Sequence, residues 1–577
     1  GSAYEAIVRD QLAAMQQLMR QHIKALGTMG AAPPAPEPAA PAAPAASDDG
    51  ATRFDAFRVT ATAPQNELTD RQRAHIDALI ARVTALTPKS KASTERYRAV
   101  LADPRVAAGF RAEWKEMVYP IVCDRAAGSR LWDLDGNEYV DLLNGFGQTA
   151  FGHAPDFVVD AVAEQLRRGF AIGPQTELAG EVAELFCKLT GNERVTFCNT
   201  GSEAVMAALR IARTVTGRDR VVVFGGAYHG QFDEVLVKGA RTSERSIPIA
   251  PGIPAESVAN ITVLTYGAPE SLAWIREHAA ELAAVVVEPV QSRHPALAPK
   301  AFLHELRAVT LDSGTALVFD EVVTGFRMHP GGMQAVFDVR ADLATYGKVA
   351  GGGMPVGILA GKARFMDALD GGMWRYGDAS VPEVPPTFFA GTFVRHPLAM
   401  AAVLAVLRRL DEQGPSLQAE LTARTERLVA RLNDELALRG WTEKIETYGS
   451  LFYFNFSHSE RLAGLLYYHL RARGVYVQEG FPCFLTTAHS DADLAAVVTA
   501  FAQSFDALQA VGIFGDAVAL PPAAELSIPL TEAQNEIWLA AQLGDDASCA
   551  FNESLTLRLS GSLDERAFAE ALATVIA

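Results

Sequence analysis

The chain has 577 residues, 49% of them hydrophobic and 21% charged, with 51 Lys+Arg against 68 Asp+Glu for a net charge of −17. Such a length and apolar content allow several domains with sizeable cores and exclude disorder over most of the chain. The acidic balance argues against general nucleic-acid binding, and no apolar run of 18 residues or signal-peptide pattern points to a membrane or to export.

In chain order, Gly1-Ser2 reads as a cloning remnant. Residues 1–27 follow as a helix with apolar steps of three and four at Tyr4, Val8, Leu12, Met15, Met19, Ile23 and Leu26. Either a short coiled-coil strand or an amphipathic helix lying on a globular body fits this seam. Residues 28–66 form a linker whose Ala/Pro run at 31–46 would extend about 50 Å as polyproline II. A helical lead-in occupies 67–110, starting at Thr69-Asp70 with apolar spacing at Ile76, Leu79, Ile80, Val83 and Leu86. Beyond it, the β-branched runs 194–197, 220–224, 283–289 and 316–322 alternate with helical stretches. This predicts an α/β fold, a mostly parallel central sheet flanked by helices, in a large domain at 111–399. Residues 400–512 read as a smaller α+β lobe, and 513–525 as a linker. The five cysteines, at 123, 187, 198, 483 and 549, are scattered and odd in number, with no CxxC pair. They form no disulfide framework or zinc site, and a reducing cytoplasm is expected.

Ligands of an open parallel sheet gather at the carboxyl ends of its strands. Four segments place functional groups there. In Asn199-Thr200-Gly201-Ser202-Glu203, Gly201, Ser202 and the free amides of a helix start suit a phosphate, although an ordinary N-cap explains the segment alone better. Tyr228 in Gly226–Gly230 could cover a flat ring with His229 beside it, or simply pack. Asp320 ends a buried strand, where a carboxylate is costly unless it meets a cation such as a protonated pyridine nitrogen or a structural salt-bridge partner. Lys348, in a glycine-rich segment 28 residues later, is either a solvated turn or a desolvated amine suited to Schiff-base chemistry. Together they form a phosphate cup, a ring cover, a pyridine-nitrogen carboxylate and a nucleophilic lysine, which is the equipment of a pyridoxal-phosphate enzyme.

The segments NTGSEA (199–204), AYHG (227–230), VVEPVQ (286–291), DEVVTGFR (320–327), GKVAGGGMPVG (347–357) and GTFVRHPLAMAA (391–402) resemble class III aminotransferases, and DEV followed by TGFR is similar to the glutamate-1-semialdehyde aminomutase subgroup. The resemblance implies the pyridoxal-phosphate transferase fold of type I and a homodimer with sites at the subunit interface. It also implies Lys348 as the lysine that holds the cofactor and shuttles protons, and Asp320 on the ring nitrogen. Tyr228 and Val322 would lie on the two ring faces, Gly201 and Ser202 on the phosphate with the partner's Thr392. Gln291 would neighbour the ring hydroxyl, with His229 and Glu288 close by. Arg111 stands at the spacing where the aminomutases keep an arginine for a substrate carboxylate. Phe481 stands where they carry a glutamate, and Phe146 where they carry a tryptophan. An apolar gate of this kind suits an acyl chain better than a small charged substrate.

Residues 526–577, which include Ile528–Trp538, resemble the start of a nonribosomal-peptide condensation domain, and 88–111 resembles the lead-in to aminotransferase domains of iturin- and mycosubtilin-type synthetases. That context implies an acyl carrier protein upstream and a condensation domain downstream. The expected reaction is amination of a β-ketoacyl thioester held on phosphopantetheine, with glutamate or a similar donor. A free-standing aminomutase or ω-aminotransferase for small substrates is the alternative.

Overall fold

In the computed structural model, the described residues are 68–106, 110–239, 246–454, 456 and 462–515. The N-terminal helix, the Ala/Pro linker and the condensation-like segment lie outside them.

The centre is a seven-stranded sheet ordered Arg194–Cys198, Gly357–Gly361, Leu343–Tyr346, Ala316–Asp320, Leu282–Val287, Arg220–Phe224, Ile261–Leu264. All neighbours run parallel except Gly357–Gly361, which is antiparallel to both of its partners. Both faces are covered, which explains why the inner strands read as unbroken apolar runs. Side chains alternate between the layers: Val223, Val286 and Val318 meet helix Gly201–Thr216 through Ala208 and Ile211. Val285, Val287, Leu317 and Phe319 face the opposite layer, built on helices Leu178–Thr190, Lys300–Ser313 and Pro397–Gln413.

A second core joins segments far apart in sequence. Ile76, Leu79 and Val83 of helix Asp70–Leu86 pack with Trp114, Met117, Leu432, Phe454, Phe501 and Phe505. The helix begins as its sequence predicts, with Thr69 and Gln72 forming a reciprocal capping box. Strands Cys123–Ala127, Arg130–Asp133 and Glu138–Asp141 form a sheet closed by Val475–Tyr476, with Val140 opposite Val475.

The lobes therefore divide differently from a cut at 399/400. That cut falls inside helix Pro397–Gln413, whose Met400, Val403 and Leu407 are buried in the large core. Residues 114–142, placed with the large domain by chain order, contribute Trp114, Val140 and Leu142 to the second core. Apolar side chains pack where a complementary face is available, not according to sequence position.

Among the described residues, no helix is long and apolar enough to cross a membrane.

Candidate active site

The carboxyl ends of the central strands converge on one cleft of about 130 Å³. Gly201, Ser202, Val205, Tyr228, His229, Gly230, Glu288, Ser292, Asp320, Val322, Val323 and Lys348 line it. The structure thus gathers eight of the sequence-predicted residues: Gly201, Ser202, Tyr228, His229, Glu288, Asp320, Val322 and Lys348. Val205, Gly230, Ser292 and Val323 were not singled out, although each lies within three residues of a predicted one.

Asp320 ends its strand almost fully buried. Its Oδ2 lies 2.8 Å from His229 Nδ1, and its Oδ1 accepts from the Val322 amide and Thr345 Oγ1, each at 3.2 Å. No lysine or arginine pairs with it among the described residues, so a carboxylate facing the cleft is held ready for a cation from a ligand. Lys348 follows strand Leu343–Tyr346 at the first position of a 3₁₀ turn, with φ +41. A non-glycine residue in this region is strained, and such strain is kept where the surroundings fix it at a functional site. Burial lowers the pKa of its amine; Asp320 and Glu288 pull it back up, and Arg327 lowers it further. The result favours a neutral nucleophile.

Glu288 shows the opposite effect. Burial, and then the nearby Asp320, push its carboxyl up to about 7, while the Ser292 amide donates to it at 3.0 Å. A carboxyl whose folded pKa lies above its unfolded value stabilises the fold fully below the unfolded pKa, and that contribution is lost as pH rises through the folded one. For Glu288 the window runs from about 4.5 to about 7. Between pH 4.5 and 8, cofactor-free Glu288→Gln enzyme should lose on the order of 3 kcal/mol less stability than the parent in denaturant titrations. Identical pH slopes would contradict this.

At the other end of the cleft, helix Gly201–Thr216 starts with Thr200 and Glu203 in a capping box, leaving the Gly201 and Ser202 amides at the opening. Two glycines let the chain close around this cup. A Cβ on Gly357 would lie 2.0 Å from the Thr200 carbonyl oxygen, and one on Gly230 would lie 2.6 Å from Ser202 Oγ. Gly230 also has φ +113, which L side chains avoid. Gly230→Ala should therefore push Ser202 aside and weaken cofactor binding by about ten- to a hundredfold. Absorbance titration of the cofactor-free enzyme measures this, and an unchanged dissociation constant would show the cup to be elsewhere.

The other predicted residues lie further out. Gln291 is buried beside the cleft and donates to the Gly225 carbonyl at 2.9 Å. Thr392 is exposed and does not line the cleft of its own chain. Phe146 and Phe481 meet each other, with ring centroids 4.9 Å apart. Arg111 does not line the cleft; its charge opposes the upward shift that burial gives Glu479.

The aminotransferase class-III family pattern matches residues 110–502. The chain belongs to the class-III aminotransferases. A glutamate-1-semialdehyde 2,1-aminomutase of Archaeoglobus fulgidus is 36% identical over 402 residues, covering 67% of this chain and 93% of that protein. An omega-transaminase from Sphaerobacter thermophilus superposes with a TM-score of 0.64 at 30% identity, over 72% of this chain and 97% of that one. A β-phenylalanine aminotransferase from Variovorax paradoxus gives the same TM-score at 29% identity, over 77% and 99%.

This aminotransferase is a pyridoxal-phosphate enzyme, and its cleft fits the group: a buried carboxylate backed by His229, with no lysine or arginine partner among the described residues, for the ring nitrogen, a lysine lining the same cleft, and helix-start amides for the phosphate. When bound, the cofactor supplies a conjugated ring that draws electrons from the amino-bearing carbon.

Proposed function

We propose that the enzyme transfers an amino group from an amino acid donor such as glutamate to the β-keto carbon of an acyl thioester held on the phosphopantetheine arm of a carrier protein. The observation that carries this reading is the contact between Phe146 and Phe481. An apolar pair offers an alkyl chain a favourable surface and a small charged substrate none. Phe146 is held in the left-handed region at φ +62 within Asn144–Gly147. Asn144 fixes that turn by donating to the carbonyls of Asp141 and Phe484, each at 2.8 Å. The likeness to a β-phenylalanine aminotransferase supports amination at a β carbon.

In this scheme Lys348 Nζ moves the proton on and off the substrate carbon. Asp320, backed by His229, keeps the ring nitrogen protonated. Tyr228 and Val322 confine the ring, and the Gly201 and Ser202 amides hold the phosphate. A homodimer completes the site in this reading. The run containing Thr392 exposes Tyr376 at 92% and Phe388 at 75%, an apolar surface suited to burial against a second copy.

Incubation with pyridoxal phosphate, glutamate and a β-ketoacyl carrier protein should change the carrier-bound mass from ketone to amine, read by intact-protein mass spectrometry. Phe481→Glu should cut kcat/KM for a long acyl acceptor by about tenfold or more, through a charge placed where the chain packs. Turnover of a free semialdehyde with no change in the carrier would favour the aminomutase alternative instead.

A further inference from the structure

We propose that Arg293 binds the anionic group of the acceptor: the phosphodiester of a pantetheine arm or, on a free keto acid, the carboxylate. The proposal rests on the reading that the acceptor is an acyl chain entering past Phe146 and Phe481. Arg293 directly follows the cleft-lining Ser292 and is exposed. Its Nε donates to the Gly480 carbonyl at 3.2 Å, and its Cζ sits 5.9 Å from the Phe481 ring centroid. The guanidinium is therefore anchored at the apolar gate. Its charge reaches the cleft too, opposing the upward shifts that burial gives the Tyr228 and Tyr453 phenols.

The state of this arginine sets it apart. Among the described residues, no carboxylate lies within ion-pair distance of Arg293, and neither of its Nη atoms donates to another group. Other arginines of this acidic chain are committed: Arg194 to Asp367 and Asp370, Arg213 to Glu234, Arg439 to Glu435 and Asp506. Arg111, the arginine the sequence offers for a carboxylate, already acts on Glu479. Arg293 combines a fixed position beside Phe481 with an open two-pronged donor, the geometry that phosphate and carboxylate oxygens accept. Its place on the rim, outside the reacting centre, fits the polar end of a long acceptor whose acyl portion lies deeper.

The test compares the parent holoenzyme with Arg293→Gln and Arg293→Lys on acceptors sharing one acyl chain. These are the pantetheine 4′-phosphate thioester, the uncharged N-acetylcysteamine thioester and the free keto acid. Arg293→Gln should raise KM for the phosphorylated thioester about tenfold at low salt, with kcat within about twofold, and leave the uncharged thioester unchanged. Arg293→Lys should restore most of the loss, and added salt should shrink the difference. Equal KM values for parent and Arg293→Gln on every anionic acceptor overturn the proposal. So does an equal rise on the uncharged thioester, which would make Arg293 only a tie to the Phe481 loop. If the parent turns over free keto acids but no thioester, while Arg293→Gln raises their KM, the anion site stands with a carboxylate and the carrier reading falls. If thioesters turn over without dependence on Arg293, the carrier reading stands and the anion site falls.

Discussion

Lys348→Ala is expected to lower transamination by about 10³-fold or more, because in the proposed scheme the substitution removes the attacking amine and the proton carrier at once. Apart from Lys348, the titratable groups lining the cleft are Tyr228, His229, Glu288 and Asp320. His229 Nδ1 is engaged with Asp320, and Glu288 is held by the Ser292 amide. Neither is placed to take over the amine's role. The variant should lose the visible absorption of the lysine-linked cofactor yet keep its fold, since alanine can occupy the same backbone position with the same strain. Added methylamine should return part of the activity by restoring a base at the vacated place. Retention of full activity without added amine would refute the assignment of Lys348.

Why the convergence of Lys348 and Asp320 on one cleft was legible while other features were not follows from physical chemistry. Each of the four motif segments joins a strand end to a loop, so its chemistry sits in a few consecutive residues, and the sheet's geometry brings those ends together without further information. Strand Gly357–Gly361 was missed because its Gly-Ile-Leu-Ala-Gly sequence has little strand propensity; it is there because only glycine at 357 can pass the Thr200 carbonyl. Phe146 and Phe481 were each singled out, but their contact bridges 335 positions and exists only after the lobes pack. The packing of 114–142 into the second core is equally invisible in chain order. Arg293 carries no motif at all. Its significance is the missing counter-charge, which a sequence cannot display.

Arg327 is the second place where a large effect is expected, and it was read in the sequence only as part of the TGFR signature. It is fully buried with no carboxylate partner among the described residues. Its guanidinium donates to Gly147 O and Thr149 O at 2.8 Å, Ser450 Oγ at 2.9 Å and Leu485 O at 3.3 Å, and lies 4.7 Å from the Phe484 ring centroid. The acceptors come from the turn that carries Phe146 and from two segments of the small lobe, so this side chain ties that turn and the lobes to the segment that begins at Asp320. Burial without a counter-charge pulls its pKa down to about 9, and its positive field in turn lowers Lys348.

Arg327→Met fills similar space but leaves four buried acceptors without their donor. Its expected cost is about 3–5 kcal/mol of stability, measured by denaturant unfolding of the holoenzyme. The same change should raise the pKa of Lys348, so the pH midpoint for cofactor capture by the cofactor-free enzyme should move upward. Arg327→Lys separates the two roles. A lysine keeps the charge acting on Lys348 but cannot span four acceptors, so it should lose most of the stability while leaving the capture midpoint near that of the parent. If Arg327→Met alters neither stability nor the midpoint, the clamp is dispensable. If both variants shift the midpoint equally, Arg327 reaches Lys348 through packing of the lobes and not through its charge.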